Sequence, residues 1–487
     1  MNDKTKVFLY EDAKIKYPQK APYHPSTNYP EFGKFPHEIS DDVNLTYDAV
    51  RNTLIGLGLD KENYGTEHWN PLRDYISKNG KVLIKPNLVH QPTYYVAHQD
   101  IVLTHGSIIR AVLDYVVIAL GENGTITIGD SPVFPADFEK MIKSLGLPEM
   151  VKYYSENFNF CIDIVDFRIV KGIYSDTGYF KGKIESDSTT HTELKLKDSA
   201  HKEFESQFEL TDRKNPVKTY TLHNSILEAD CIINLPKLKT HKIAGITCCI
   251  KAMIGANSQK SQILPHYKKG GASEGGDEYK EETLLMRIKR VSLSNLKKGP
   301  KIIFDIAQVL FSYYRNITLK TGLGKDLYGS MLEHGAWSGN DTLWRSMLDL
   351  NRCVIYGKQN GEISSKIQRK MFCLVDGIIA GEGQGPMNPV EKNIGVLIAG
   401  SNPLAVDLVS IRLMGFDWMK LNTYIKILNN GPFFDDLKDF ENKLIFKKKL
   451  KTIQEGEDFE DIFKNKNPFF SFQPPVGWDD IKITKNK

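Results

Sequence analysis

A strand–helix–strand unit in the first third of the chain constrains its fold more than any other feature. Residues 81–85 form a short apolar run that stops at Pro86, and residues 125–129 form a second run that stops at Asp130. Between them, residues 107–120 carry apolar side chains at helical spacing, and Gly121 follows as a helix C-cap. Short, uniformly apolar strands joined by a helix are typical of a parallel sheet that is covered on both faces.

The alternation of strands and helices returns after residue 226 and again after residue 372. Between about 171 and 218, Ser, Thr, Asp and Lys dominate, and the weak apolar alternation favours an inserted antiparallel element. Residues 280–352 show mostly helical spacing. We therefore predict an α/β fold of two lobes with mainly parallel sheets, a polar antiparallel insertion and a helical block.

A chain of 487 residues exceeds the size at which one core stops growing, so two or three domains are expected. The predicted divisions are an N-terminal arm (1–45), an α/β domain (46–255) with the insertion at about 171–218, a loop or lid (256–279), the helical block (280–352), a second α/β portion (353–418) and a helical, basic C-terminal tail (419–487). The functional cleft is expected between residues 80–255 and residues 370–415.

The composition argues against several classes of protein. With 64 basic and 60 acidic residues the net charge is only +4, too even for nucleic-acid binding by bulk charge. The start of the chain lacks the apolar core of a signal peptide, and the best membrane candidate, residues 111–120, is half the length of a spanning helix. The six cysteines include no Cys-x-x-Cys pair. These observations predict a cytoplasmic, reduced protein without a transmembrane segment; they do not indicate an oligomeric state.

Residues 234–241 form the strongest candidate for a functional segment. They follow an apolar run and contain Lys237, Lys239 and His241 at alternate positions, so an extended chain places all three on one face. Lys251 follows ten residues after His241. So many cations beside so much apolar sequence predict a site for an anionic ligand.

Several predicted strands end in polar residues. Because ligands in open α/β sheets bind outside the carboxyl ends of the strands, these residues are expected to share one site. The alternative is that Asp, Asn, Pro and Gly only mark the strand ends; for the whole set we favour the site. Two of its carboxylates, Asp130 and Asp376, are also weak candidates for Mg²⁺. The residues are Lys85, Asn87, Asp130, Ser131, Asn234, Lys237 and Asp376.

A glycine-rich loop is predicted at residues 376–386. Its backbone amides would approach a phosphate or carboxylate closely, although such glycines are as often only tight turns. Glu382 within the loop is a candidate general base or metal ligand. The anion-binding candidates of the loop are Gly381, Glu382, Gly383 and Gly385.

Two histidines are candidates for proton transfer. His241 ends the lysine segment and is the predicted acid/base group, with His105 as its partner. The alternative is that His105 caps the following helix and that His241 bonds to the backbone. No His/Cys cluster has the spacing of a zinc site.

Seven motifs occur in an order that resembles the domain of unknown function 362 (DUF362) family over roughly residues 80–415. Many members of that family carry a Cys-rich, ferredoxin-like segment; this chain has none, so an iron–sulfur cluster is not expected. More remotely, the α/β halves look like the lactate-racemase-like enzymes, which use paired histidines and a nickel-pincer nucleotide. The motifs are Lys85-Pro-Asn87, Thr104-His105, Gly129-Asp-Ser-Pro132, the segment 234–241, Lys251 with Gly255, the segment 376–386, and Ala399 to Asp407.

The combined prediction is an enzyme that acts on an anionic, polyhydroxylated small molecule, a sugar acid or a sugar nucleotide. Its expected chemistry is epimerisation or racemisation, with Lys85, Lys237, Lys239 and Lys251 holding the anion. One alternative is a nucleotide-dependent transferase or ligase; another is a non-catalytic binding or assembly protein of an iron–sulfur pathway. The cofactor stays open between a nucleotide-like molecule and Mg²⁺.

Overall fold

The chain is described by a computed structural model that covers most of its length. The described residues are 6–33, 38–93, 96–158, 160–174, 180–196, 199–200, 219–263, 269–282, 287, 291–292, 335–430, 445–449 and 469–483. The strands are β1 (Lys6–Glu11), β2 (Lys81–Pro86), β3 (Thr125–Asp130), β4 (Ile162–Asp166), β5 (Val170–Tyr174), β6 (Phe180–Glu185), β7 (His191–Lys195), β8 (Thr219–His223), β9 (Cys231–Leu235), β10 (Lys237–His241), β11 (Gly245–Thr247), β12 (Lys370–Gln384), β13 (Asn388–Gly400) and β14 (Ile445–Lys449). The helices are α1 (Leu45–Gly56), α2 (Gln99–Val102), α3 (Gly106–Leu120), α4 (Phe138–Ser144), α5 (Leu147–Phe158), α6 (Asn224–Glu228), α7 (Cys249–Ala252), α8 (Leu343–Tyr356), α9 (Pro403–Leu413) and α10 (Asn422–Asn430).

One ten-stranded sheet dominates the described part of the chain. Its order is β14-β1-β13-β12-β9-β2-β3-β4, and β10 branches from β12 and carries β11 on its other side. The pairs along β12-β9-β2-β3-β4 are parallel, as are β1-β14 and β10-β12. The predicted α/β class with a mainly parallel sheet is confirmed. Strands from both predicted α/β portions belong to this one sheet.

The sheet is covered on both faces because its strands are apolar on both faces. In β9, Ile232 packs into a core cluster with residues of α8 and α9, whereas Cys231 and Ile233 pack into a second cluster with α1 and α3. Successive side chains of a strand point to opposite faces, so an uninterrupted apolar run needs a helical layer on each side. This arrangement leaves the carboxyl ends of the parallel strands as the place where polar groups collect.

The predicted antiparallel insertion is confirmed. Strand β5 pairs with β6 in one antiparallel ladder, and β7 pairs with β8 in another. Part of the predicted insertion, residues 175–179, 197–198 and 201–218, lies outside the described residues.

Two predictions of local structure were wrong. The arm predicted at 1–45 contributes β1 to the sheet, where it pairs with β13, rather than only lying on the surface. The loop predicted at 376–386 is largely strand: β12 continues to Gln384, which pairs with Asn388 of β13. Glycine-rich composition suggested a loop, but the glycines lie in a ladder where neighbouring backbones approach closely.

Other predicted segments are covered only in part. Of the helical block at 280–352, α8 begins at Leu343, while residues 283–286, 288–290 and 293–334 lie outside the described residues. Of the loop or lid at 256–279, residues 264–268 lie outside them as well. The domain boundaries stay predictions. Within the described ranges, none of the helices has the length and apolar character needed to cross a membrane.

Candidate functional site

Strand β10 carries the lysine segment, and the predicted extended conformation is confirmed. All five of its residues are buried, because β12 lies on one side of the strand and β11 on the other. Lys237 pairs in register with Asp376, and Lys239 lies between Gly381 and Thr247. The alternation of a strand puts both lysines on one face.

Lys237 belongs to a buried network with Tyr17. Its Nζ lies 3.1 Å from Asp376 Oδ2 and donates to the Tyr17 hydroxyl at 2.6 Å, and that hydroxyl donates to Asp376 Oδ1 at 2.5 Å. The Tyr17 ring stacks on His105 with centroids 4.0 Å apart, and the backbone N–H of His105 donates to Asp376 Oδ2 at 3.0 Å. Burial lowers the pKa of Lys237, although Asp376 opposes this shift. Lys237 is therefore fully engaged within the protein.

Lys85 and Asp130 form a second buried ion pair where β2 and β3 end. Lys85 Nζ lies 2.7 Å from Asp130 Oδ1. The same carboxylate accepts from the backbone N–H groups of Leu88 and Ser131 at 2.7 and 2.8 Å. The backbone of Gly255 passes so close that a Cβ there would lie 2.0 Å from Asp130 Oδ1. The glycine is needed for this close approach.

Four lysines interact electrostatically with the single carboxylate of Asp130, and we call them the lysine cluster: Lys85, Lys239, Lys251 and Lys260. Burial, then Lys251 and Lys237, lower the pKa of Lys239 well below its usual value. Burial, opposed by Asp130 and aided by Lys85, lowers the pKa of Lys251 to about 8, and burial lowers that of Lys260 to about 7. The cluster holds more amines than a single carboxylate can pair with, and burial disfavours their charged forms.

Polar atoms without partners lie beside the lysine cluster. Among the described residues, Ser131 Oγ, Asn234 Oδ1 and Thr247 Oγ1 are buried and make no hydrogen bond. Ser131 follows Asp130, Asn234 is the register partner of Lys85, and Thr247 is the register partner of Lys239. Buried polar groups are nearly always paired, so these three atoms retain hydrogen-bonding capacity beside the lysine cluster.

Both candidate histidines hold their Nδ1 atoms against the backbone. His241 Nδ1 accepts from the N–H groups of Ile243 and Ala244 at 3.1 and 3.2 Å, and His105 Nδ1 accepts from Ser107 at 3.2 Å, which caps α3. Both roles considered as alternatives are thus present: His105 caps α3, and His241 hydrogen-bonds to the backbone. An accepting Nδ1 assigns the ring hydrogen to Nε2.

Both rings are neutral at physiological pH. Burial, then Lys251 and Lys239, lower the pKa of His241 well below its usual value. Burial, followed by Lys237, lowers the pKa of His105 to about 3. A neutral ring with its hydrogen on Nε2 donates a hydrogen bond to a ligand and is a poor base at that atom. Their acid/base role stays a prediction, and this tautomer favours donation.

The comparison with family models identifies the segment that carries most of this site. The model of a domain of unknown function (DUF362) matches residues 186–412. Over these residues, just under half of the chain, the protein is similar to the DUF362 family. The matched residues include β10 and α7, and therefore Lys239 and Lys251, whereas Tyr17, Lys85 and Asp130 precede the match. The site of this chain is thus completed by residues outside the matched DUF362 segment.

The other comparisons are less informative. No curated protein matches the chain. Among solved structures, it is similar to a crystal structure of a protein from Thermotoga maritima, with 12% sequence identity and a TM-score of 0.32. The match covers 75% of this chain and 58% of the other, so the chain spans little more than half of that protein. The remote similarity to lactate-racemase-like enzymes stays a prediction.

The glycines of the segment 376–386 lie beside β10, but the amides of Gly383 and Gly385 are engaged. Gly383 N donates to Gln473 O at 2.8 Å, and Gly385 N donates to Gly383 O at 2.9 Å. A Cβ at Gly385 would lie 1.8 Å from Thr240 O, so a close backbone approach explains this glycine. Glu382 lies 2.8 Å from Lys392 Nζ in an ion pair. This geometry gives the predicted anion-binding role of the segment no support.

Asn87 contributes to the site indirectly. Its Nδ2 donates to Val102 O at 3.0 Å, and Lys239 Nζ donates to the same oxygen at 2.6 Å. The backbone N–H of Asn87 donates to Thr104 Oγ1, whose hydroxyl donates to Leu235 O at 2.5 Å. Asn87 therefore links the end of β2 to Val102, whose carbonyl oxygen also accepts a hydrogen bond from the Lys239 amine.

The two carboxylates considered for Mg²⁺ are occupied by protein donors. Each oxygen of Asp130 and of Asp376 accepts at least one hydrogen bond, and each carboxylate is paired with a lysine. They do not fit a magnesium site in this arrangement. Within the described residues, the His, Cys, Asp or Glu side chains whose potential ligand atoms lie close enough together to hold a metal ion are Cys248, Cys249 and Asp407.

That group has a structural explanation without a metal. Asp407 accepts from the N–H groups of Cys249 and Ile250 at 2.7 and 3.0 Å and from the Tyr424 hydroxyl at 3.0 Å. It therefore caps α7 at its amino end. Burial raises the pKa of the Cys248 thiol to about 11.

Proposed function

We propose that this chain is an enzyme that binds an anionic, polyhydroxylated small molecule at the lysine cluster and moves a proton at one of its carbon atoms. Sugar acids and sugar nucleotides are the proposed substrates, and epimerisation or racemisation is the proposed reaction. The observation that supports the proposal most directly is the set of four lysines around the single carboxylate of Asp130.

Charge balance supports an anionic ligand. Lys85 is paired with Asp130, and from the described residues no carboxylate lies within ion-pair distance of Lys239, Lys251 or Lys260. Buried amines without counter-charges either lose their protons or recruit an anion, and burial lowers the pKa of all three amines. A phosphate or carboxylate in the cluster would balance their charge. The unpaired hydroxyls of neighbouring residues supply further donors.

The same groups support proton transfer next to a carboxylate or carbonyl. Removing such a proton builds negative charge on oxygen, which nearby cations and N–H donors stabilise. His241 supplies a neutral Nε2–H, and the lysine amines with lowered pKa values are competent bases near neutral pH. This assignment moves the base from histidine to lysine and leaves the histidine as a hydrogen-bond donor.

Replacing Lys239 by methionine tests the binding site. Lys239→Met keeps the length of the side chain and removes a buried charge without a carboxylate partner, so we expect the unliganded variant to melt at or above the wild type. We also expect it to lose the stabilisation that sulfate or phosphate gives the wild type, with affinity about 10–100-fold weaker, as for loss of a charged hydrogen bond.

The matched control is Lys366→Met, because Lys366 is exposed. It should respond to sulfate as the wild type does. A lower melting temperature for Lys239→Met together with an unchanged response to sulfate would show that the residue is structural and the site misplaced.

Hydrogen exchange tests the reaction. Purified protein is incubated in D₂O with uronic acids, aldonic acids and sugar nucleotides, and each compound is examined by NMR for deuterium at a carbon-bound position and for a second epimer. We expect both for the true substrate. Tight binding of these compounds without any exchange would refute the epimerase chemistry and leave the binding function standing.

A further inference from the structure

Within the lysine cluster, Lys251 is held differently from its neighbours. Lys85 and Lys239 are buried, whereas Lys251 and Lys260 are partly exposed. Lys260 donates to Ile254 O at 3.3 Å, but no hydrogen bond or ion pair from the described residues reaches Lys251 Nζ. Lys251 therefore combines a partly exposed side chain with an amine that the described residues leave without a partner.

The backbone that carries Lys251 is fixed on three sides. Asp407 accepts the first two N–H groups of α7, at 2.7 and 3.0 Å. Asn234 Nδ2 donates to Cys249 O at 3.1 Å, and Asn351 Nδ2 donates to Ile250 O at 2.9 Å. Asp407, Asn234 and Asn351 are all buried. A four-residue helix does not need three buried polar side chains to form, so this arrangement indicates that the position of its lysine matters.

The surroundings of Lys251 favour the uncharged amine. Asp130 of β3 and Lys85 of β2 act on its pKa. Lys251 in turn lowers the pKa values of Lys239 and His241 in β10 and of Lys260. Burial and Lys85 outweigh Asp130, which lowers the pKa of Lys251 to about 8. A desolvated amine beside a second cation is the arrangement that activates lysine as a nucleophile.

We propose that Lys251 forms an imine with the carbonyl carbon of an anionic aldehyde or ketone that the other lysines of the cluster hold. The inference rests on the proposed function, since the cluster must first bind the anion. The amine lone pair attacks the carbonyl carbon, and the π pair of the C=O bond moves to the oxygen. The two hydrogens of the amine then leave with that oxygen as water, and a C=N bond remains. No oxidant or reductant is required.

This step defines the substrate class more narrowly. The open-chain forms of uronic acids and of sugar phosphates contain both an anionic group and a carbonyl carbon. An imine draws electrons from the neighbouring carbon more strongly than the parent carbonyl does once the nitrogen is protonated, so the hydrogen on that carbon is removed more easily. That is the hydrogen an epimerase must exchange.

Pyridoxal 5′-phosphate tests the proposal because it is an anionic aldehyde. The wild-type protein is incubated with it at about pH 7.5, reduced with sodium borohydride to fix any imine, and mapped by peptide mass spectrometry. We expect labelling at Lys251 to exceed that at exposed Lys366 about tenfold, because a solvated lysine is almost entirely charged at this pH. Excess inorganic phosphate should suppress the labelling at Lys251 alone.

Two variants and a pH profile serve as controls. Lys251→Arg should abolish the specific adduct, and Lys366→Arg, at an exposed lysine outside the cluster, should keep it. In the wild type, labelling at Lys251 should reach half of its maximum near pH 8, the pKa of the amine, which needs no variant to fold. Labelling of Lys260 in place of Lys251, or equal labelling of Lys251 and Lys366, overturns the proposal.

Anion binding by the lysine cluster and imine formation at Lys251 can be tested separately. If phosphate raises the melting temperature of the wild type but no adduct forms at Lys251, the imine is refuted and anion binding stands. If phosphate neither stabilises the protein nor competes with the label, both the anion site and the imine are refuted.

Discussion

Replacing Gly255 by alanine perturbs the lysine cluster by a single methyl group. A Cβ at Gly255 would lie 2.0 Å from Asp130 Oδ1 and 2.8 Å from Lys85 Nζ, closer than atoms approach a real Cβ. The carboxylate cannot swing away freely, because it accepts hydrogen bonds from Lys85 Nζ, Leu88 N and Ser131 N. Ser131 N also donates to Gly255 O at 2.9 Å, which ties the glycine to β3. The added methyl group must therefore break the ion pair or move backbone.

The expected cost follows from the burial of that pair. Lys85 and Asp130 are 1% and 4% exposed, and disrupting a buried ion pair costs about 3–5 kcal/mol. A chain of 487 residues has an unfolding entropy on the order of 1 kcal/mol/K. We therefore expect Gly255→Ala to lower the melting temperature by about 3–5 °C, and to weaken the response to sulfate as well.

Gly33→Ala is the matched control for this experiment. The closest atom to a Cβ at Gly33 lies at 3.4 Å, and its φ of −54° suits any residue. Differential scanning fluorimetry with and without sulfate measures both variants against the wild type. The reasoning is refuted if Gly255→Ala melts within about 1 °C of Gly33→Ala and binds sulfate equally well, because the glycine would then have space that the structure denies it.

Three further predictions concern the same region. Tyr17→Phe removes a hydroxyl that bonds to both members of a buried ion pair, so urea denaturation should show a free energy of unfolding lower by about 1–3 kcal/mol. Tyr23→Phe should change it little, because the Tyr23 hydroxyl makes no hydrogen bond to the described residues. Equal losses for the two variants would contradict the network. Because burial lowers the pKa of His105 to about 3, the histidine of the unfolded chain is protonated first as the pH falls. Between about pH 6 and 4 the free energy of unfolding of the wild type should therefore fall by about 1.4 kcal/mol per pH unit more than that of His105→Asn, in which asparagine can still cap α3. Parallel stability curves for the two proteins would refute the lowered pKa. Sulfate favours the charged forms of Lys251 and Lys260, whose pKa values are lowered to about 8 and about 7, so the affinity for sulfate should fall between about pH 7 and 9. Calorimetry in buffers of different ionisation enthalpy should detect proton uptake on binding. Binding of sulfate without proton uptake would contradict the assigned pKa shifts.

The parts of the site that lie at strand ends could be predicted from the sequence. Lys85 and Asp130 each end a short apolar run, and neighbouring parallel strands bring their carboxyl ends together, so the proximity of the two residues follows from the fold class, whereas their ion pair was not predicted. The alternation of Lys237 and Lys239 likewise required only that residues 237–241 be extended. Both placements depend on the sheet alone, and the ligand-binding roles of these residues stay predictions.

Other parts depend on contacts between distant segments, for which the sequence carries no local signal. Tyr17 lies in an aperiodic stretch, yet it bonds to Asp376, more than three hundred residues away. Lys260 lies in a segment predicted as a lid, and Asp407 stood within a recognised motif without an assigned role. The glycines of β12 misled the prediction because composition does not distinguish a glycine in a loop from one beneath a neighbouring strand.

The position of β12 in the sheet has a consequence for the order in which the protein can fold. This strand joins β9 to β13, and β1 pairs with β13 so that residue 7 lies opposite residue 400. While the ribosome is still making the first 369 residues, β1 therefore lacks this neighbour and the edge of β9 stays open. An apolar parallel strand with an open edge is a strong template for wrong pairing. The late synthesis of the strand that closes the sheet should make the nascent chain a substrate for chaperones, and β10, which carries Lys239, gains its neighbour β12 only after that strand has left the ribosome.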